Sequence, residues 1–359
     1  MKLFKSFAAT AVALAVFSCA SAQAPGYTVT IPMTEDEDGL KAYLVDYDSS
    51  ENLDSTTIAD GKAVFKGSIA SPALVQLVID GARSGMFILE PGNITGDLQT
   101  RSFSGTQLNE RLIDFGKEAG ELIKSYRALQ PDSNAAAKAA EIQARYQALT
   151  RRVLDENASN PLGYYLFLQE AYDMTLPQLD EALATNPAFS RSKRVQRLRT
   201  NLVKKDETSV GKMYKDFSIK QPDGSVKKLS DYVGNGKYAL VDFWASWCGP
   251  CIRETKVIKE LYNKYADKGL EVLGVAVWDE PQNTMQAIKT HELPWKQIIN
   301  AQSVPTDIYG ISGIPCIILF DPEGKIISRD KQDADLVADV DAAMEAAAAP
   351  RVGAQEALE

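Results

Sequence analysis

The feature that most constrains the fold is a strand signal running into a pair of cysteines. Tyr238-Ala239-Leu240-Val241-Asp242-Phe243-Trp244 is apolar but for one acid, and Trp247-Cys248-Gly249-Pro250-Cys251 follows. A helical pattern begins at Cys251, with Ile252, Val257, Ile258, Leu261, Tyr262 and Tyr265 on its apolar face. Two cysteines three positions apart at such a junction can close a small disulfide ring. They can also present one sulfur to the free N–H groups and positive dipole end of a helix, which stabilise a thiolate, the nucleophile of disulfide exchange. A lone Cys-x-x-Cys can instead be half of a zinc site, but that requires further Cys or His ligands. Only Cys316 and the single histidine, His291, stand elsewhere outside the N-terminal segment, so neither a metal nor another cofactor is expected.

A length of 359 residues predicts more than one domain. The formal net charge of −9 gives no basic surplus to neutralise phosphates, and nucleic-acid binding is not expected. Residues 1–22 read as a signal peptide. Lys2 and Lys5 precede an apolar stretch from Phe7 to Phe17, and Ala20-Ser21-Ala22 offers a small-x-small cleavage site. Val16-Phe17-Ser18-Cys19 is a second reading, a lipoprotein box with Cys19 as the lipid-bearing residue, although Phe17 fits that box poorly. Either way the chain is expected to be exported, with no transmembrane span in the mature part. Export with so few cysteines means no disulfide framework, so a close pair reads as a working pair.

Residues 23–105 read as an antiparallel all-β, sandwich-like domain, with a small barrel as the other architecture that strands at this spacing allow. Apolar runs at Tyr27–Ile31, Leu40–Tyr47, Ala63–Ile69, Ala73–Ile79 and Met86–Leu89 alternate with turn signals. These are Asp38-Gly39, Asp60-Gly61, Asp80-Gly81, Pro91-Gly92 and Thr95-Gly96. Residues 106–207 read as a helical segment, broken at Pro131-Asp132-Ser133-Asn134, with later helices starting near Asn160-Pro161, Thr175 and Asn186-Pro187. Its last part carries a basic cluster, Arg191 to Lys205, read as a solvated helix face. Residues 208–348 alternate strand and helix and predict a mixed α/β sheet: a hairpin around Pro222-Asp223-Gly224, strands at 238–244, 270–277, 316–320 and 325–328, and helices at 251–266, after Pro281, and at 333–346. Residues 349–359 read as a disordered tail.

Residues 210–345 resemble the thioredoxin superfamily, in particular the exported TlpA/ResA-like thiol–disulfide oxidoreductases. The resemblance rests on Val241-Asp242-Phe243-Trp244-Ala245-Ser246-Trp247-Cys248-Gly249-Pro250-Cys251, and on Gly313-Ile314-Pro315 just before an apolar strand, where the family keeps a cis-proline. It implies a thioredoxin-like fold for the C-terminal domain and a redox-active dithiol. Cys248 is then the exposed attacking nucleophile and Cys251 the shielded resolving cysteine. Asp242 becomes a buried acid whose pKa is raised and which exchanges the proton of Cys251. Thioredoxin's lysine partner for that acid aligns with Gly274 and is absent, so desolvation acts on Asp242 unopposed unless water or another group compensates. Trp247, Gly249, Pro250, Ile314 and Pro315 are the expected substrate-binding residues, with Trp247 as an apolar docking surface and the Ile314 backbone pairing with an extended substrate. Trp244 is assigned to the core, and Trp295 to covering the sheet edge.

Two departures stand out. Lys256 replaces a proline usual in the helix, and Cys316 follows Pro315 where threonine is common; Cys316 is read as a small buried filler rather than a third redox thiol. The β and helical regions resemble an N-terminal domain of unassigned function found on such proteins. The expected function is reduction of disulfide-bonded substrate proteins in the periplasm, with electrons from a membrane donor; lipid anchoring through Cys19 is the alternative location. Other readings are a thiol peroxidase, and a binding protein whose thioredoxin-like part is a scaffold.

Overall fold

The structure, a computed structural model, describes residues 24–130 and 134–348. The leader with Cys19, the 131–133 part of the helix break, and the tail 349–359 lie outside the described residues. The chain divides into two compact units after Phe167, inside the stretch that the sequence presents as one helical segment.

The first unit begins with β1 (Gly26–Pro32), β2 (Lys41–Asp46), β3 (Asn52–Thr57), β4 (Lys62–Ser68), β5 (Ala73–Ile79), β6 (Ala82–Leu89), β7 (Gly92–Asp97) and β8 (Ser102–Ser104). They form two four-stranded sheets, ordered β4-β1-β7-β8 and β3-β2-β5-β6. Alternate side chains turn inward: Tyr27, Val29 and Ile31 from β1 share one core with Ala42 and Leu44 from β2, and Val75, Leu77 and Ile79 from β5. This is the sandwich expected from the alternation. Neighbouring strands run antiparallel with one exception, the parallel pair β1–β7.

Three strands of this unit escaped the sequence reading, the three-residue β8 among them. β3 is polar and largely exposed at a sheet edge, so it carries no apolar signal. β7 contains the Gly92 and Thr95-Gly96 signals taken as turns. Gly96 is needed there for space: a Cβ would fall 2.7 Å from the Phe103 ring, which stacks on Phe87 at 4.3 Å between centroids.

Helix α1 (Gln107–Arg127) starts against the sandwich through a buried polar network. Asn109 donates to the Ile88 carbonyl at 2.7 Å and accepts from the Ile88 N–H at 3.1 Å. The Glu90 carboxylate accepts from the Leu108 N–H at the open end of the helix at 2.8 Å. Helix α2 (Ala135–Glu156) returns alongside α1, and α3 (Pro161–Ala171) carries the chain across the division.

The second unit continues with α4 (Leu176–Thr185), capped by Thr175 and Gln178 as a capping box, and α5 (Lys193–Glu207), whose Ser192 cap accepts from the Val195 N–H. Then come the hairpin β9 (Ser218–Lys220) and β10 (Val226–Lys228), β11 (Tyr238–Trp244), α6 (Gly249–Tyr265), β12 (Leu270–Ala276), α7 (Pro281–Thr290), β13 (Lys296–Ile298), α8 (Val304–Tyr309), β14 (Cys316–Phe320), β15 (Ile326–Arg329) and α9 (Asp333–Ala348). α6 begins at Gly249 rather than Cys251, because Cys248 itself takes the N-cap position. The short β13 and α8 were not foreseen; three and six residues are too few to show a period.

Five strands make one mixed sheet, ordered β13-β12-β11-β14-β15. β11 lies at its centre, parallel to β12 and antiparallel to β14. Both faces of β11 are buried, which explains a run almost without polar residues. Val241 and Phe243 face a core with Phe217, Ile219, Leu229 and Tyr309. Leu240 and Trp244 face the opposite core with Ile258 and Leu261 of α6 and Leu336 and Val340 of α9. This is the thioredoxin-like arrangement expected for residues 208–348. α5 is held to it by Arg329, which donates to the Thr208 carbonyl at 2.8 Å and to that of Tyr309 at 2.7 Å.

Candidate active site

The end of β11, the start of α6 and the loop before β14 converge. Cys248 and Cys251 are joined in a disulfide. The Cys251 N–H, in the first turn of α6, donates to Cys248 Sγ at 3.1 Å. The outer sulfur therefore faces a helix N-terminal donor and the positive end of the dipole, the surroundings that stabilise a thiolate when the bond is opened. Cys251 is fully buried. Cys248 is only 4% exposed, so the expected exposed cysteine is reachable through a small window rather than laid open.

Across from the pair, Cys248 Sγ lies 3.8 Å from the Ile314 carbonyl oxygen, and the Ile314–Pro315 peptide bond is cis. The half-buried Ile314 and Pro315 thus stand beside the disulfide as expected. Gly249 and Pro250 are exposed on the turn. Trp247 is 62% exposed, although its Nε1–H donates to the Trp278 carbonyl at 3.0 Å. A single polar contact fixes the ring while leaving its apolar face to solvent.

A second anchor for this loop was missed at the sequence level. The buried Asp279 carboxylate accepts from the Ser246 N–H at 2.8 Å, the Ser246 hydroxyl at 2.9 Å and the Thr284 hydroxyl at 2.7 Å. The residue before it, Trp278, adopts a positive φ of 52°. Asp279 followed by Glu280-Pro281 resembles an ordinary helix start, so nothing in the local pattern reveals its bond to a loop 33 residues earlier.

Asp242 is 1% exposed. By strand alternation it points to the face shared by Leu240, Trp244 and Cys251. Its Oδ1 is buried without a hydrogen-bond partner. Burial, with a smaller contribution from the nearby Glu254 carboxylate, pushes its pKa up to about 8. Glu254 is the other missed residue. It is buried one turn beyond Cys251, its Oε1 accepts from the Asp333 N–H at the start of α9 at 2.9 Å, and burial raises its pKa. Its position in the buried series Cys251, Glu254, Ile258, Leu261 is a signal that could have found it: an acid on the apolar face of a helix.

Trp244 is fully buried, and Trp295 is buried beside the edge strand β13. Cys316 is buried, and its thiol donates to Asp330 Oδ1 at 3.2 Å. Burial pushes the Cys316 thiol well up, which favours its protonated form. Among the described residues no cluster of three or more His, Cys, Asp or Glu could hold a metal ion, and no helix is long and apolar enough to cross a membrane.

Comparison with known proteins gives matches to both regions. The AhpC/TSA family profile matches residues 210–329, and a domain of unknown function, DUF4369, matches residues 27–112. The thiol–disulfide oxidoreductase ResA of Geobacillus thermodenitrificans is 32% identical over 122 residues, covering 34% of this chain and 69% of the relative. ResA of Bacillus subtilis is 26% identical over 123 residues, covering 34% and 68%. Among solved structures, the thioredoxin domain of a thiol–disulfide oxidoreductase from Bacteroides vulgatus is 32% identical, covers 37% of this chain and 96% of that one, and gives a TM-score of 0.35. A thiol:disulfide interchange protein from Bacteroides sp. is 30% identical, with coverage of 42% and 95% and a TM-score of 0.35.

Proposed function

The chain belongs to the thioredoxin-like thiol–disulfide oxidoreductases of the ResA kind, and from that premise we propose that it is an exported reductase of protein disulfides working through Cys248 and Cys251. The observation that carries the reading is the bonded pair at the α6 N-terminus, its inner sulfur sealed from solvent, on the sheet face that holds the buried Asp242.

In the reduced protein the Cys248 thiolate attacks one sulfur of a substrate disulfide. A mixed disulfide forms and the other substrate sulfur leaves as a thiolate. The fraction of Asp242 that is ionised near neutral pH takes the proton of Cys251. The resulting Cys251 thiolate attacks Cys248 Sγ, the second substrate sulfur leaves, and the chain is oxidised by the two electrons the substrate gains. Trp247, Gly249, Pro250, Ile314 and Pro315 offer the substrate an apolar ring and a stretch of backbone beside the sulfurs.

Gly-Pro between the cysteines matches thioredoxin, whose potential is about −270 mV, and supports a reductant. A periplasmic reductant needs an external dithiol donor, which we place in the membrane. We assign residues 1–22 to the export signal, 23–105 and 106–207 to a β and a helical region that select the substrate, 208–348 to the redox domain and 349–359 to a tail.

An insulin-reduction assay with dithiothreitol tests the activity. Wild type is expected to accelerate precipitation, Cys248→Ser to do nothing, and Cys251→Ser to accumulate a mixed disulfide on Cys248. Wild type indistinguishable from Cys248→Ser would overturn the reductase reading. Export is tested separately by fractionating cells that express the full chain.

A further inference from the structure

Asp242, Gly274 and Gln297 stand side by side in one row of the sheet. Asp242 of β11 pairs with Gly274 of β12, and Gly274 pairs with Gln297 of β13. Residues in one such row share a face, with neighbouring strands about 4.8 Å apart. Gly274 contributes no side chain, and the Gln297 carboxamide has moved into the space it leaves. A Cβ on Gly274 would lie 2.1 Å from Gln297 Oε1 and 2.7 Å from Nε2. The amide therefore occupies the place of the side chain next to Asp242.

The orientation of that amide is fixed. Trp244, two residues from Asp242 on the same face, donates its Nε1–H to Gln297 Oε1 at 3.2 Å. With Oε1 engaged as acceptor, the group left over is the donor, Nε2. This nitrogen is buried without a hydrogen-bond partner, and so is Asp242 Oδ1. One orphan donor and one orphan acceptor in adjacent places of one row complement each other. A direct hydrogen bond between them, or one bridging water, would satisfy both.

We propose that Gln297 is a positioning residue for Asp242, a neutral donor held by Trp244 in the place of a cationic partner, which sets how readily the buried carboxyl gives up its proton. The proposal rests on the redox role assigned to Asp242. A donor to the ionised form favours ionisation, but a neutral amide does so less than an ammonium would. Asp242 is thereby left able to cycle between acid and base near neutral pH rather than being locked as a carboxylate. The other titratable groups facing it come from α6: Glu254, which opposes ionisation, and Cys251 once the disulfide is opened. Val272 of β12, Ile317 and Leu319 of β14, Ala287 of α7, and Leu336 and Val340 of α9 supply apolar side chains to the same core, which also holds the phenol of Tyr265 from α6.

The test is the titration of the Asp242 carboxyl carbon by NMR in the oxidised protein labelled at aspartate, compared with Gln297→Met and Gln297→Lys. Methionine keeps the volume and removes the donor, and the midpoint is expected to rise by about one pH unit, the scale of one hydrogen bond to a charged group. Lysine restores a cation, and the midpoint is expected to fall. An unmoved midpoint in the Met variant, or shifts of the same sign in both, overturns the proposal; where the Lys variant does not fold, the Met variant alone decides. Turnover of Asp242→Asn is the separate measure of the proton-transfer role. Its loss together with an unmoved Met midpoint would remove Gln297 and leave the redox reading standing.

Discussion

Replacing Asp242 by Asn converts the burial of this carboxyl into a measurable stability profile. The acid titrates at 3.8 in its ordinary state and at about 8 in the fold. Below the lower value both states are protonated and burial of the group costs nothing in ionisation. As pH rises between the two values the unfolded chain ionises while the folded chain keeps its proton, and each pH unit removes about 1.4 kcal/mol of stability. By pH 7 the loss is roughly 4 kcal/mol, and it levels off above the folded value. Asparagine never ionises and escapes this loss, but its NH2 group enters a site where Oδ1 already lacks a partner, at a pH-independent cost of about 1–3 kcal/mol. The variant is therefore expected to be less stable than wild type at pH 4 and more stable at pH 8, with the two profiles crossing between. Urea unfolding of the oxidised proteins reads this directly. All four tryptophans, Trp244, Trp247, Trp278 and Trp295, belong to the second unit, so their fluorescence follows the redox domain and not the sandwich. A difference between variant and wild type that stays flat from pH 4 to pH 9 would refute the raised titration, and with it the proton store assigned to Asp242.

Further predictions address the surroundings of the disulfide. Trp247→Ala removes an exposed ring, so thermal unfolding is expected to shift little, within about 0.5 kcal/mol, while KM for a protein disulfide rises; unchanged KM would take Trp247 out of the docking surface. Asp279→Ala breaks the three bonds that pin Ser246 and Thr284 and is expected to cost about 2–4 kcal/mol in urea unfolding. Cys316 in the oxidised protein, expressed from residue 23, is expected to resist Ellman's reagent at pH 8 until denaturant is added; fast labelling of the native protein would contradict its burial.

Much of the redox half was legible because its signals are local. The apolar run that became β11 and the run that became β14 end where the sequence places them, since strands buried on both faces must be almost wholly apolar. Cys248 and Cys251 announce themselves by spacing and by the strand and helix that flank them, and Pro315 by the resemblance to a known family. Elements with weak local signals were not legible. β3 is polar because it is an edge, β7 contains glycine because Phe103 needs the room, and β13 is three residues long.

What the sequence determined by itself is therefore the placement of the reactive groups: a cysteine pair at a helix start, an acid within an apolar strand, and two regions of different period ahead of them. What only the tertiary structure decided is the company those groups keep. Asp279 reaches a loop 33 residues away, Glu254 turns inward beside Asp242, and Gln297 fills the gap left by a glycine on the neighbouring strand. The places of Asp279 and Gln297 depend on register between segments far apart in the chain, whereas that of Glu254 follows from the apolar face of α6. Register is set by packing across the whole sheet, which no local pattern encodes.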